Sequence, residues 1–257
     1  VNIDLIKILN NFDSISLNQL GNAKLMDRTD TKFIFHYNEL PSILNDLKLH
    51  YKCLEIDGVI NSTYETLYFD TANNHQYIQH QNGKANRYKI RFRNYVESKL
   101  SYLEIKFKSN KERTIKTRIK STLEDNLTEI QKKFIETNSN LNPELLMPKV
   151  WINYKRICLV NKTSNERLTL DTNLEIIFGN KSILLDNLVI AEVKREGKNP
   201  SPFIETVKKH SVREGGISKY CLGIALTNKN IKTNRFKEKL IKIKRIQNDA
   251  RYTFNNL

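Results

Sequence analysis

The chain has 257 residues, and its 43 Lys and Arg outnumber 28 Asp and Glu to give a formal charge of +15. Such an excess says little about fold but directs attention to anionic partners: nucleic acid, anionic membrane or phosphorylated ligands. Cys53, Cys158 and Cys221 are odd in number, widely spaced and form no CxxC pair, which argues against a disulfide framework or a cysteine zinc site. No apolar run approaches the roughly 18 residues a membrane span needs, and the N-terminus has no signal-peptide pattern. The expectation is a protein of the reducing cytoplasm.

Ile3, Ile6, Leu9 and Phe12 are spaced as in a short amphipathic helix. DRTDTKFIF (27–35) alternates like a strand, and NELPSILNDLKL follows as a helix with Asn38 as N-cap and Pro41 in its first turn. The middle of the chain reads as strands at 62–71, 86–96, 99–109 and 111–120. A helix is expected over 127–137, after which Pro143 and Pro148 interrupt the pattern. Strands resume at 150–160, 166–178 and 188–196, and helices are expected over 203–210 and 236–246. With no internal repeat or low-complexity linker, one domain is expected: a helical segment over 1–26, a barrel over 27–228 and a basic helix over 229–257.

The strands share an unusual property. In KIRFR, Lys89, Arg91 and Arg93 alternate with Ile90 and Phe92, so three cations share one face of an extended strand. Arg28, Asp30 and Lys32 alternate in the same way, as do Glu104, Lys106 and Lys108, and Lys116, Arg118 and Lys120. Arg167 and Asp171 frame Thr169, and Glu192 pairs with Lys194. A wet face of an antiparallel sheet gives alternation too, usually with Ser, Thr and Gln mixed in. A closed barrel lined with charge explains the whole set at once, provided it holds water, metal and an anionic ligand.

An ordered series of segments carries a resemblance. LMDRTDTKF, TLYFDT, YIQH, KIRFR, LEIKFK, IKTR, YKR, RLTLDT, AEVK and SKYCLG, from about Leu20 to Leu226, resemble the catalytic domain of the vacuolar transporter chaperone (VTC) polyphosphate polymerases. These are a branch of the triphosphate tunnel metalloenzymes, also called CYTH-like. The resemblance implies an α+β fold: an antiparallel β-barrel whose tunnel binds a triphosphate, with flanking helices and a carboxylate-held divalent metal, Mn²⁺ or Mg²⁺. It implies catalytic roles for Lys32, Arg91, Arg93, Lys106, Lys116, Arg118 and Glu192. It implies phosphate contacts from these cations and from His80, Lys89, Lys108, Arg156, Arg167, Lys194 and Lys219. Glu192 is the implied metal ligand, with Glu104 a second candidate.

The chemistry suits the residue types. Arg forks bind phosphate oxygens bidentately, Lys supplies point charges, and a hard cation takes one or two carboxylates plus phosphate oxygens. The implied activity is transfer of the ATP γ-phosphate to a growing polyphosphate chain, with pyrophosphate or phosphate as further ligands. Rival readings are a tunnel-fold triphosphatase, a non-catalytic polyphosphate-binding subunit and, last, a nucleic-acid binder. Three departures bear on the choice. Arg28-x-Asp30-x-Lys32 replaces the first acid of the hydrolytic ExExK pattern. His80 stands where the eukaryotic polymerases have an arginine, with Arg87 or Lys84 as compensation. Gly216 stands where they have a lysine, with Arg213 as a substitute.

Other signals are weaker. The five histidines have no metal-ligand spacing, and Gly197-Lys198 is no P-loop. YFDT reads as strand-end packing, and Asp171 as an interior partner for an arginine, with metal binding as the alternative. Trp151 and the phenylalanines read as core, without an RNP motif for specific nucleic acid. The last helix sets Lys237, Lys239, Lys242, Lys244 and Arg245 around Phe236, Leu240, Ile243 and Ile246. It is expected to cap the barrel, with a membrane-associated or other protein partner as the alternative.

Overall fold

Residues 3–20, 28–111, 114–124 and 126–249 are described by a computed structural model of the chain. Asp27, the start of the first expected strand, lies outside the described residues, as do positions 112–113 of the 111–120 strand and the end of the 229–257 segment. Seven helices and eleven strands alternate among the described residues. The helices are α1 (Ile3–Leu9), α2 (Leu40–Leu47), α3 (His75–Gln81), α4 (Glu129–Asn138), α5 (Pro202–Lys209), α6 (Lys219–Thr227) and α7 (Lys237–Gln247). The strands are β1 (Ser14–Ser16), β2 (Arg28–His36), β3 (Tyr51–Glu55), β4 (Asn61–Thr71), β5 (Arg87–Tyr95) and β6 (Leu100–Lys108). They continue as β7 (Thr114–Lys120), β8 (Leu146–Asn161), β9 (Arg167–Phe178), β10 (Lys181–Leu185) and β11 (Leu188–Glu196).

One sheet takes in every strand, in the order β2-β11-β9-β8-β4-β5-β6-β7, with β10 on β9 and β3 on β8. These pairs are antiparallel; β1 alone, among the described residues, pairs in parallel, with β3. The fold is α+β, as expected, but the sheet is not closed. Its end strands β2 and β7 are not hydrogen-bonded to each other. The reason lies at the edge of β2: Phe33 bridges to Glu214, and the Gly215 N–H donates to the Lys32 carbonyl at 2.8 Å. That segment takes up edge groups that a closing strand would need.

Alternation decides what each face meets. The outer residues Phe33, Phe35, Ile157, Leu159, Leu168, Leu170, Val189, Ala191 and Val193 form one core with α1, α2 and α5. Within it Leu40, Ile43, Leu44 and Leu47 of α2 are fully buried. A helix this short is marginal alone, so burial worth about 1.5–3 kcal/mol per large aliphatic side chain holds it. Leu67, Phe69, Ile90, Phe92, Leu103 and Ile105 make a second outer core with Ile135 of α4.

The concave face is divided. Ile34, Val150, Ile152, Ile176 and Ile190 pack there with α6 and α7, so one part is filled with apolar side chains. Gly223 permits the approach of α6, since a β-carbon there would stand 2.8 Å from Ile152 Cδ1. Phe236, in the 3-10 turn before α7, and Ile243 and Ile246 of α7 are buried in this core. Ile243 and Ile246, with Leu240 packed against them, are therefore spent in the fold, while Ile241 and the basic side of the helix are exposed. No described helix is long and apolar enough to cross a membrane.

Two local expectations are corrected. Asn38 caps nothing: Tyr37–Glu39 form a 3-10 turn, the His36 Nδ1 accepts from the Asn38 N–H at 3.1 Å, and Glu39 occupies the N-cap of α2. Pro148 does not stop the chain but lies inside β8, where the pairing with β4 shifts register between Tyr68 and Phe69. An irregularity of this kind is where a strand tolerates a residue without an N–H.

Candidate active site

Cross-strand register assembles the site. Lys32 on β2 stands opposite Glu192 on β11, which stands opposite Thr169 on β9 and, one strand on, Cys158 on β8. Asp171 faces Arg156, and Arg156 faces Ser62. Tyr68, Arg91, Glu104 and Arg118 form a third row across β4 to β7. Lys89, Lys106 and Lys116 form a fourth. Since directly opposed residues point to the same side of a sheet, the alternating charges of separate strands converge on the concave face.

Three carboxylates each meet two cations. Glu104 is fully buried; its Oε2 takes Arg91 Nε at 2.7 Å and Nη2 at 2.6 Å, and its Oε1 pairs with Lys116. Asp171 holds Arg156 bidentately at 2.6 and 2.7 Å and also pairs with Lys219. Asp171 was expected as an interior partner for an arginine, and that arginine is Arg156. Glu192 Oε1 lies 3.0 Å from Lys32 and 3.6 Å from Lys194. Burial alone would push Glu104 and Asp171 up, but the adjoining cations outweigh it and hold both at about 2. Glu192 is likewise held low against burial by Lys194 and Lys32.

Other cations have no such partner. Lys89 donates to Ser218 Oγ at 2.9 Å, and burial lowers its pKa. Arg93 Nη2 donates to the Tyr154 hydroxyl at 2.8 Å, with its guanidinium 5.4 Å from the Tyr64 ring. Burial, with Arg91, Lys194 and Arg93 and against Glu192, brings Lys106 down to about 6. Ser218 accepts from Lys89 on β5 while Gly216, two residues earlier, lies against Lys32 on β2, so the two parts of the open sheet approach each other across this segment.

The remaining expected residues are peripheral to this cluster. Arg118 shares the face but is exposed, 4.4 Å from the Tyr102 ring. Arg167 stands opposite Lys194, and Lys108 is exposed opposite Arg87. His80 is not on the sheet: it lies on α3 with its ring 5.7 Å from that of Phe236. Burial first, then Lys89, Arg87, Arg235 and Lys239, brings it down to about 2, so it is a neutral imidazole. Arg213 is exposed, next to the Glu214 bridge to β2.

Sequence reading missed the tyrosines and the serine that line the site. Tyr64, Tyr68 and Tyr154 place rings or hydroxyls against Arg91, Arg93, Arg156 and Lys219. The signal was present, because Tyr154 precedes Arg156 by two positions and shares its face. Ser218 serves both as N-cap of α6 and as partner of Lys89. Gly216 presses on the Lys32 stem, and a β-carbon there would lie 2.6 Å from Lys32 Cβ.

The curved sheet thus gathers on its concave face a cluster of cations around paired carboxylates. The profile of the VTC domain family matches residues 27–228, and the chain belongs to that family. No curated protein matches the sequence. Among solved structures the chain is similar to a candidate adenylyl cyclase from Hippeastrum with a dominant triphosphatase activity, at 12% identity and TM-score 0.47, covering 76% of this chain and 94% of that one. A candidate adenylate cyclase from Bacillus halodurans is similar at 12% identity and TM-score 0.47, covering 82% and 97%.

Proposed function

We propose that the protein is a polyphosphate polymerase that transfers the γ-phosphoryl group of ATP to a growing polyphosphate chain on the concave face. The observation that carries this is the row Lys89–Lys106–Lys116: three lysines directly opposed across neighbouring strands, which cannot all carry their charge cheaply without a counter-anion. Like charges so placed repel. A bound polyanion offsets that repulsion, and VTC-domain membership makes a phosphate chain the fitting one.

The carboxylates differ in their fitness for a divalent cation. Both oxygens of Glu104 are taken by cations and the side chain is fully buried, so it suits an ion-pair hub. Glu192 is partly exposed, both its lysines approach Oε1, and among the described residues Oε2 makes no ion pair or hydrogen bond. No trio of acidic, His or Cys side chains gathers among the described residues. One carboxylate plus phosphate oxygens is an ordinary arrangement for Mg²⁺ or Mn²⁺. Glu192 is accordingly the proposed ligand, and the metal would supply charge neutralisation at the transferring phosphate.

The chain's own groups do the rest. Arg91 and Arg93, oriented by Glu104 and Tyr154, clamp phosphate oxygens and fix the line of attack. Lys32, Lys106, Lys116 and Lys219 neutralise charge on the leaving and attacking phosphates. Phosphoryl transfer needs mainly such alignment and electrostatic stabilisation. Purified protein incubated with ATP and Mn²⁺ tests the reading: ADP together with chains longer than triphosphate is expected on a gel. Orthophosphate as main product identifies a triphosphatase, and tight polyphosphate binding without product identifies an accessory subunit.

A further inference from the structure

The cations continue beyond the concave face. The next same-face positions after Lys89 and Lys106 are Arg87 and Lys108, again directly opposite each other. Among the described residues no carboxylate ion-pairs with either. Arg87 Nη1 donates to the Lys84 carbonyl at 2.5 Å, which turns the guanidinium toward the loop after α3. Gly83 in that loop makes room for another arginine. A β-carbon there would stand 2.0 Å from Arg235 Nη1, and Gly83 has φ +71°.

Arg235 sits in the 3-10 turn before α7, and Lys239 follows in the first turn of that helix; both are exposed. Neither meets a carboxylate among the described residues. His80 lies beneath them with its Nδ1 buried and, among the described residues, without a hydrogen-bond partner. Arg87, Lys89, Arg235 and Lys239 all lie close enough to oppose charge on its ring. Lys89 and Lys106 lie two positions from Arg87 and Lys108 on the same strands and the same face, so the outer cations are contiguous with the inner ones.

We propose that Arg87, Lys108, Arg235 and Lys239 form an outer phosphate track, which holds the part of a polyphosphate chain extending past the concave face. The proposal rests on the reading of that face as a phosphate site. Arg235 and Lys239 lie beyond the segment that matches the family, 27–228, so the track extends the site with residues from outside it. A single-stranded nucleic acid fits less well, because its bases need exposed rings to stack on. Phe236, next to Arg235, is buried against Tyr77 and His80.

The test compares binding of sodium tripolyphosphate, a long-chain polyphosphate and a charge-matched RNA oligonucleotide by wild type and by Arg235→Ala/Lys239→Ala. The double variant should bind the long chain about tenfold more weakly and tripolyphosphate within about twofold of wild type. Its salt slope for the long chain should fall by about 1.4, at roughly 0.7 per lost contact on a single strand. Arg235→Lys/Lys239→Arg, which keeps both charges, should retain long-chain affinity, separating the track from a packing role. Unchanged long-chain binding, or equal losses for both phosphates, overturns the track while leaving the concave site standing. Equal losses for RNA and the long chain also overturn it, in favour of general polyanion attraction. A wild type that binds no tripolyphosphate overturns the reading of the concave face itself.

Discussion

Gly216 and Lys32 touch so closely that a β-carbon on the glycine would lie 2.6 Å from Lys32 Cβ, and 3.1 Å from its Cδ. The contact fixes the lysine stem and thereby the Lys32–Glu192 ion pair. A lysine at 216, which the resemblance led one to expect, has no room unless Lys32 moves. Gly216→Ala should destabilise by about 1–3 kcal/mol, the usual range for overpacking. It should also weaken tripolyphosphate binding, measured by calorimetry. An unchanged melting temperature with unchanged affinity would mean that Lys32 yields freely.

Asp171→Asn removes the charge shared by Arg156 and Lys219, all three groups being well sheltered. Leaving buried cations unpaired costs about 3–5 kcal/mol in typical cases. The variant should melt well below wild type, and tripolyphosphate should recover part of the loss because its oxygens replace the carboxylate. Denaturant unfolding with and without the ligand checks both. Equal destabilisation in the two conditions would place this pair outside the phosphate site.

Lys106 gives the site a pH signature. Its folded pKa is about 6 against an ordinary 10.5, so between these values the unfolded chain binds the extra proton. Stability of the ligand-free protein should therefore rise with pH through that window, by up to about 1.4 kcal/mol per unit for one group. Below about pH 6 the lysine is charged in both states and its contribution no longer changes. A phosphate chain favours the charged form, so binding near pH 7.5 should take up a proton at Lys106. Calorimetry in two buffers of different ionisation enthalpy should show uptake in wild type and about one proton less in Lys106→Met. The same proton count in both would refute the assignment.

Much of this was legible in the strands. KIRFR, LEIKFK and AEVK announce one charged and one apolar face, and Arg91, Glu104, Lys106 and Glu192 share the concave side as alternation requires. The pairing of Glu104 with Arg91 and Lys116 was not legible, because register across strands depends on turns and bulges. Nor was the open edge at β2, which is set by backbone contacts from 214–215, residues without strand pattern. The helices α3 and α6 were missed for different reasons. Seven residues are too few for periodicity in α3, and Asp70 fixes it from a distance by accepting the Gln76 and Tyr77 N–H groups at 2.9 Å. Helix α6 is apolar nearly all round because it is buried inside the sheet, so no amphipathic stripe marks it.

The most direct measurement compares wild type with Glu192→Gln for two quantities at once, tripolyphosphate affinity and product formation from ATP with Mn²⁺. The substitution keeps shape and hydrogen bonding but removes the charge a hard cation requires. Because Lys32 and Lys194 lose their carboxylate, phosphate affinity should be kept or improved, while chain synthesis falls by about a hundredfold or more, the scale of losing transition-state charge stabilisation. Synthesis that continues in Glu192→Gln at near wild-type rate, or binding that collapses together with synthesis, would contradict the account.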